Sequence, residues 1–79
     1  MPIPEIEWTE EDIQRARRRG KKLALDRRET PLELDEGEAM AEADVLFDGR
    51  SEVVRRTMGH ELFDAALRFH GELTEIAGS

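Results

Sequence analysis

From Val54 onward the apolar residues Val54, Met58, Leu62, Ala66, Phe69, Leu73 and Ile76 follow at intervals of 4, 4, 4, 3, 4 and 3. That spacing is one face of an α-helix, close to a heptad seam and sustained over about 25 residues. Such a helix measures about 37 Å at 1.5 Å per residue. In a chain of 79 residues it must be the element on which everything else packs. Ser51 is placed as its N-cap, and the spacing predicts a helix over 51–77. Gly59 and Gly71 interrupt it as candidate break points, each costing about 1 kcal/mol relative to Ala. Two shorter helices of one chain cannot cover a stripe of that length. The expectation is therefore self-association, as a two-fold homodimer, through Val54, Met58, Leu62, Ala66, Phe69, Leu73 and Ile76.

Upstream, two further capping signals and two breaks divide the chain. Pro2 and Pro4 keep residues 1–8 in an extended arm. Thr9 is a suitable N-cap, with Glu10, Glu11 and Asp12 in the first turn, where negative charge suits the helix dipole. Trp8 and Ile13 have the spacing of a hydrophobic staple. This helix should run from 9 to about 29, because Pro31 disfavours a helical Thr30. Its apolar seam (Ile13, Ala16, Gly20, Leu23, Ala24) is narrow and made largely of small residues, which suits close approach of one partner helix. Residues 31–34 alternate apolar and polar and could form one short strand, which would have to pair with another chain to be stable. Asp35, with Glu38 three residues on, opens a helix over 36–47 whose buried side carries Ala39, Met40, Ala43, Leu46 and Phe47. Asp48-Gly49 ends it. The expected fold is all-α or nearly so: one small helical domain over 9–77, followed by a tail at 78–79.

Charge is strongly segregated along the chain. Residues 1–14 carry −5, residues 15–28 carry +7, residues 29–52 carry −8 and the remainder −1, for a net charge of −7. A block of that size needs counter-charge, within the assembly or on a partner. The favoured expectation is internal: the basic helix lies beside the acidic stretch that follows. The alternative gives Arg15, Arg18, Arg19 and Lys22 to a partner as a charged interaction face. The arginines fall on several helix faces without interleaved aromatics, and the pI of 4.8 is far from the basic footprint of nucleic-acid binders. Nucleic acid is therefore disfavoured as a ligand.

Enzyme chemistry finds little to work with. There are no cysteines, which excludes disulfides, thiolate metal sites and thiol nucleophiles. The two serines, Ser51 and Ser79, read as a cap and a tail. His60 and Asp64 share a helix face, but a metal site wants at least three ligands and His70 lies about 80° away around the helix. Asp48-Gly49-Arg50-Ser51 has one glycine and no lysine, so it is not a phosphate loop, although Arg50 and Ser51 at a helix N-terminus make a candidate anion site. No cofactor and no metal are expected. No apolar run nears the ~18 residues of a membrane span and no signal-peptide pattern opens the chain, so a cytoplasmic location is expected.

The order from Thr30 to His60 (short alternating segment, acidic capped helix, glycine turn, helix opening Ser51-Glu-Val-Val-Arg-Arg) resembles the ribbon-helix-helix regulators and antitoxins. The resemblance implies a strand at Thr30-Pro-Leu-Glu-Leu paired across an obligate dimer. Its outward side chains, Glu33 with Thr30 or Asp35, would then meet the DNA major groove. It also implies a toxin-binding helical region from Leu62 to Ile76. Carboxylates in those outward positions repel phosphates, so DNA regulation ranks second. The first expectation is a non-enzymatic helical protein–protein interaction module that self-associates and binds a protein partner through apolar and charged helix faces.

Overall fold

Each helix begins at a residue whose side chain satisfies a backbone N–H that has no helical partner. The computed structural model describes residues 7–26 and 34–77, with side chains as far as Glu75. Within these lie α1 (Glu10–Asp26), α2 (Glu36–Leu46) and α3 (Glu52–Ala77). Thr9 and Asp12 cap α1 reciprocally: the Asp12 N–H donates to Thr9 Oγ1 (3.3 Å) and the Thr9 N–H to Asp12 Oδ2 (3.0 Å). Asp35 Oδ1 accepts from the Glu38 N–H at 2.7 Å, and Ser51 Oγ from the Val54 N–H at 3.3 Å. The boundaries follow the sequence expectation closely, with Thr9 and Ser51 as caps outside their helices and Phe47 as the C-cap of α2. Residues 27–29 of the expected first helix, residues 31–33 of the expected strand, residues 1–6 of the arm and the tail 78–79 lie outside the described residues. Among the described residues every regular element is a helix. No helix there is long and apolar enough to cross a membrane.

Gly59 and Gly71 do not break α3, which runs unbroken through both. Gly59 is buried at the helix crossing, where a methyl group would collide with Met40 Sδ. The turn between α2 and α3 does need its glycine, since Gly49 has φ +86°, a region that L side chains rarely adopt. Arg55 secures the same corner, donating to Asp44 Oδ1 at 3.1 Å and to the Arg50 carbonyl.

The helices run up, down and up around α3. Arg17 bonds Glu61 and Gly20 lies against Leu62 and Ala66, so numbers rise together and α1 is parallel to α3. Asp44 meets Arg55, Met40 meets Gly59, and Glu36 lies beside His60, so α2 is antiparallel to α3. The core holds Ala16, Leu23, Leu34, Ala39, Ala43 and Phe47 against Val54, Met58, Leu62 and Ala66 of the long stripe. Phe47, Val54, Met58 and Leu62 are its largest fully buried side chains, each stabilising the fold by about 1.5–3 kcal/mol. Trp8 and Ile13, the expected staple pair, pack against its rim.

Candidate interaction surface

The covering of the long stripe decides what remains for a partner. Val54, Met58, Leu62 and Ala66, expected at a subunit interface, are at most 2% exposed within the single chain. α1 and α2 together cover them, and the small residues of α1 bring it close: a methyl on Gly20 would collide with the Leu62 carbonyl oxygen and lie 3.1 Å from Ala66 N. Phe69 and Leu73, further along α3, are half-buried, and the Ile76 side chain lies outside the described ones.

Six described arginines are taken up by carboxylates. Arg17 meets Glu61 at 3.2 Å, Arg19 meets Glu42 at 2.9 Å and Arg55 meets Asp44 at 3.1 Å. Arg56 meets Glu52 at 2.8 Å and Arg68 meets Asp64 at 3.1 Å, each one turn apart on α3. Arg50 spans both oxygens of Asp12, at 3.2 and 3.1 Å, and also donates to the Glu7 carbonyl at 3.0 Å. This bond is the chief reason the Asp12 carboxyl is held below its ordinary value, with the Thr9 N–H adding to it. Asp12 in turn raises the Arg50 guanidinium. The anion held at the Arg50–Ser51 corner is thus a carboxylate of the chain itself, and Ser51 Oγ approaches a second, Glu7 Oε2, at 3.4 Å.

The remaining bases of α1 are arranged differently. Arg15 lies over the Phe47 ring, 5.7 Å from its centroid, in cation–π geometry. Arg18, Lys21 and Lys22 are exposed and hold no ion pair among the described residues. At about 100° per residue, Ala16, Gly20 and Leu23 point to α3, while Arg15, Arg18 and Lys22 (i, i+3, i+7) form a strip on the outer side. Arg19, at the edge of that strip, is the one of the four expected interaction-face residues that bonds α2. Lys21 faces the other way, into an open groove of about 320 Å³ between α1 and α3, floored by Ala65 and Phe69 and rimmed by Arg17, Asp64, Arg68 and Glu72.

One feature escapes a reading based on the buried side of each helix. On α2, Gly37, Ala41 and Val45 recur every four residues on the solvent face, and Val45 is 79% exposed. The signal was present in the spacing, half a turn away from Ala39 and Ala43. His60 and Asp64 are not brought together as a proton-sharing pair: Asp64 bonds Arg68, and His60 Nδ1 is 3.7 Å from Glu36 with most of its side chain in solvent. Among the described residues no group of three metal-ligating side chains gathers. In comparisons with known proteins, the chain matches no family model, no curated protein and no solved structure.

Proposed function

We propose that the chain is a non-enzymatic helical protein-interaction module that self-associates and presents the outer strip of α1 to carboxylate-bearing protein surfaces. The observation that carries the reading is the distribution of unpaired charge. The chain has seven more acids than bases, yet Arg18 and Lys22 are left without an ion pair among the described residues, on the outer side of a single helix. Among the described residues acid is plentiful and none of it is bonded there. Cations exposed in this way steer association with an acidic surface and set its rate more than its ultimate affinity.

The test is capture from a lysate of the source cells by wild type and by an Arg18→Glu, Lys22→Glu variant, at low and high salt. Retention should fall at least tenfold in the variant and should fall with salt in the wild type. Equal retention by both proteins would refute the reading. The same bare cations favour a second reading, the ribbon-helix-helix regulator, since phosphates could take the place of carboxylates. A DNA-shift assay separates the two: a regulator binds with a log–log salt slope of several units, and a protein-interaction module does not.

A further inference from the structure

We propose that Met40 is a reversible oxidation site, a thioether reached by peroxide from an open cleft, whose conversion to the sulfoxide loosens α2 from α3. The proposal is independent of the α1 strip, since it concerns the edge of α2 that borders Arg55 and Arg56.

The two methionines of the described residues are placed differently. Met58 lies wholly within the core, at 0% exposure, whereas Met40 is half-buried. Met40 lines an open cleft of about 230 Å³ together with Asp44 of α2 and with Glu52, Arg55 and Arg56 at the start of α3. Its other side is tightly held. The Met40 Sδ occupies the place that a Cβ on Gly59 would take, with Met40 Cε 3.1 Å and Cα 3.4 Å from the same point. The helical residues that α2 buries fully are two alanines, Ala39 and Ala43. The Met40 thioether therefore supplies much of the bulk at this crossing.

A thioether reacts without losing a proton, so access to the sulfur governs its oxidation. The sulfur lone pair attacks one oxygen of hydrogen peroxide, and the S–O bond forms as the O–O bond breaks. Sulfur gives up two electrons, and the second oxygen departs as water with the proton of the transferred one. The product is polar where the thioether was apolar and adaptable. Its oxygen has two directions open to it. Toward Gly59 the space is already filled, and α2 must lift. Toward the cleft the oxygen is an acceptor beside Arg55 and Arg56, whose guanidiniums are held by Asp44 at 3.1 Å and Glu52 at 2.8 Å. Drawing Arg55 away undoes the bond from α3 to Asp44 that secures the corner. Both directions act on the same contact, α2 against the first half of α3. Two thiols of a methionine sulfoxide reductase reverse the step: they join as a disulfide, the oxygen leaves as water, and the thioether returns.

Treatment of the full chain with dilute hydrogen peroxide at neutral pH, followed by peptide mass spectrometry and by circular dichroism at 222 nm, tests the proposal. Met40 should gain its oxygen at least tenfold faster than Met58. The melting temperature of the oxidised chain should fall by at least about 5 °C and should recover after incubation with both methionine sulfoxide reductases and dithiothreitol. Met40→Leu, a change of similar volume that leaves no sulfur at the crossing, should keep its melting temperature through the same peroxide dose. Met40→Gln, which puts a polar group in the same place, should melt below Met40→Leu without any peroxide. Equal rates at Met40 and Met58 would overturn the access that the cleft provides. Oxidation of Met40 with no fall in melting temperature, or an equal fall in Met40→Leu, would overturn the role of the thioether in holding α2. Met40→Gln as stable as Met40→Leu would overturn it as well.

Discussion

Replacing Gly20 by alanine should be among the most damaging single-methyl additions to this chain, although alanine is the better helix former. The new methyl would clash with the Leu62 carbonyl oxygen and lie 3.1 Å from Ala66 N and 3.2 Å from Ala65 Cβ. Two of these three atoms are backbone and the third is the stub of an alanine, so no rotamer change relieves the contact. The helices must move apart. A gap of 0.5–1 Å forfeits a quarter to a half of the dispersion well at each contact, here along the seam that buries Ala16, Leu23, Leu62 and Ala66. Overpacking of this kind costs about 1–3 kcal/mol and occasionally more, and the gain of about 1 kcal/mol in helix propensity offsets part of it. Because the clashing atoms are backbone, the cost lies at the upper end of that range, and a net loss of about 2 kcal/mol is expected, against a total stability of about 4–12 kcal/mol for a domain of this length. The melting temperature should fall by roughly 5–20 °C. Thermal and urea melts followed by circular dichroism at 222 nm measure it. A Gly20→Ala protein as stable as wild type would show that α1 does not approach α3 as closely as the structure has it.

Gly71→Ala should do the opposite, raising stability by up to about 1 kcal/mol, because a methyl there meets nothing within 4 Å; a fall in melting temperature would contradict it. Ser51→Ala removes the acceptor for the Val54 N–H and should cost about 1 kcal/mol in the same melts. Asp12→Asn should lower stability at neutral pH. Since the folded Asp12 carboxyl titrates below its free value of 3.8, the deficit should hold steady above that pH and shrink as the pH falls through the folded value; a deficit as large at about pH 2 as at pH 7 would refute it. Arg19→Glu, which turns an attraction to Glu42 into a repulsion, should lower the melting temperature by a few degrees at low salt and less at high salt. Arg18→Glu, at a side chain with no ion pair among the described residues, should leave it unchanged.

The three helices were legible because their signals are local. Thr9, Asp35 and Ser51 cap from within three residues, and Gly49 makes a turn with its own backbone. The small-residue seam of α1 also carried its message, since Ala16, Gly20 and Ala24 at four-residue intervals invite a close neighbour. What periodicity does not contain is the identity of that neighbour. The stripe from Val54 to Ala66 has the same spacing whether α1 of its own chain or a second chain covers it, and only the path of the chain decides. The fate of Gly59 was hidden for a similar reason: propensity counts the cost of a glycine in an isolated helix, whereas Met40 of α2 turns that glycine into space for packing. Val45 stands on the solvent face of α2 with only Gly37 and Ala41 in its row, so no stripe of large apolar residues marks it.

Adjacency in sequence suggested that the basic block would be neutralised by the acidic block after it, and helical geometry explains why this happens only at the edges. Successive residues of α1 diverge by about 100°, so a basic run must occupy every side of the helix. Arg17 falls on the edge beside α3 and finds Glu61, and Arg19 falls on the edge beside α2 and finds Glu42. The carboxylates of α2 are divided in the same way, with Asp44 and Glu36 turned to Arg55 and His60 of α3. Between the two satisfied edges of α1 remains a sector that faces neither helix, and Arg18 and Lys22 occupy it. In water those charges cost little, because high dielectric and salt screen them within about 10 Å. Their interaction with a carboxylate strengthens as solvent is displaced and the effective dielectric falls toward about 20. The strip is therefore nearly neutral to folding and responsive to docking, which is the combination expected of a recognition surface.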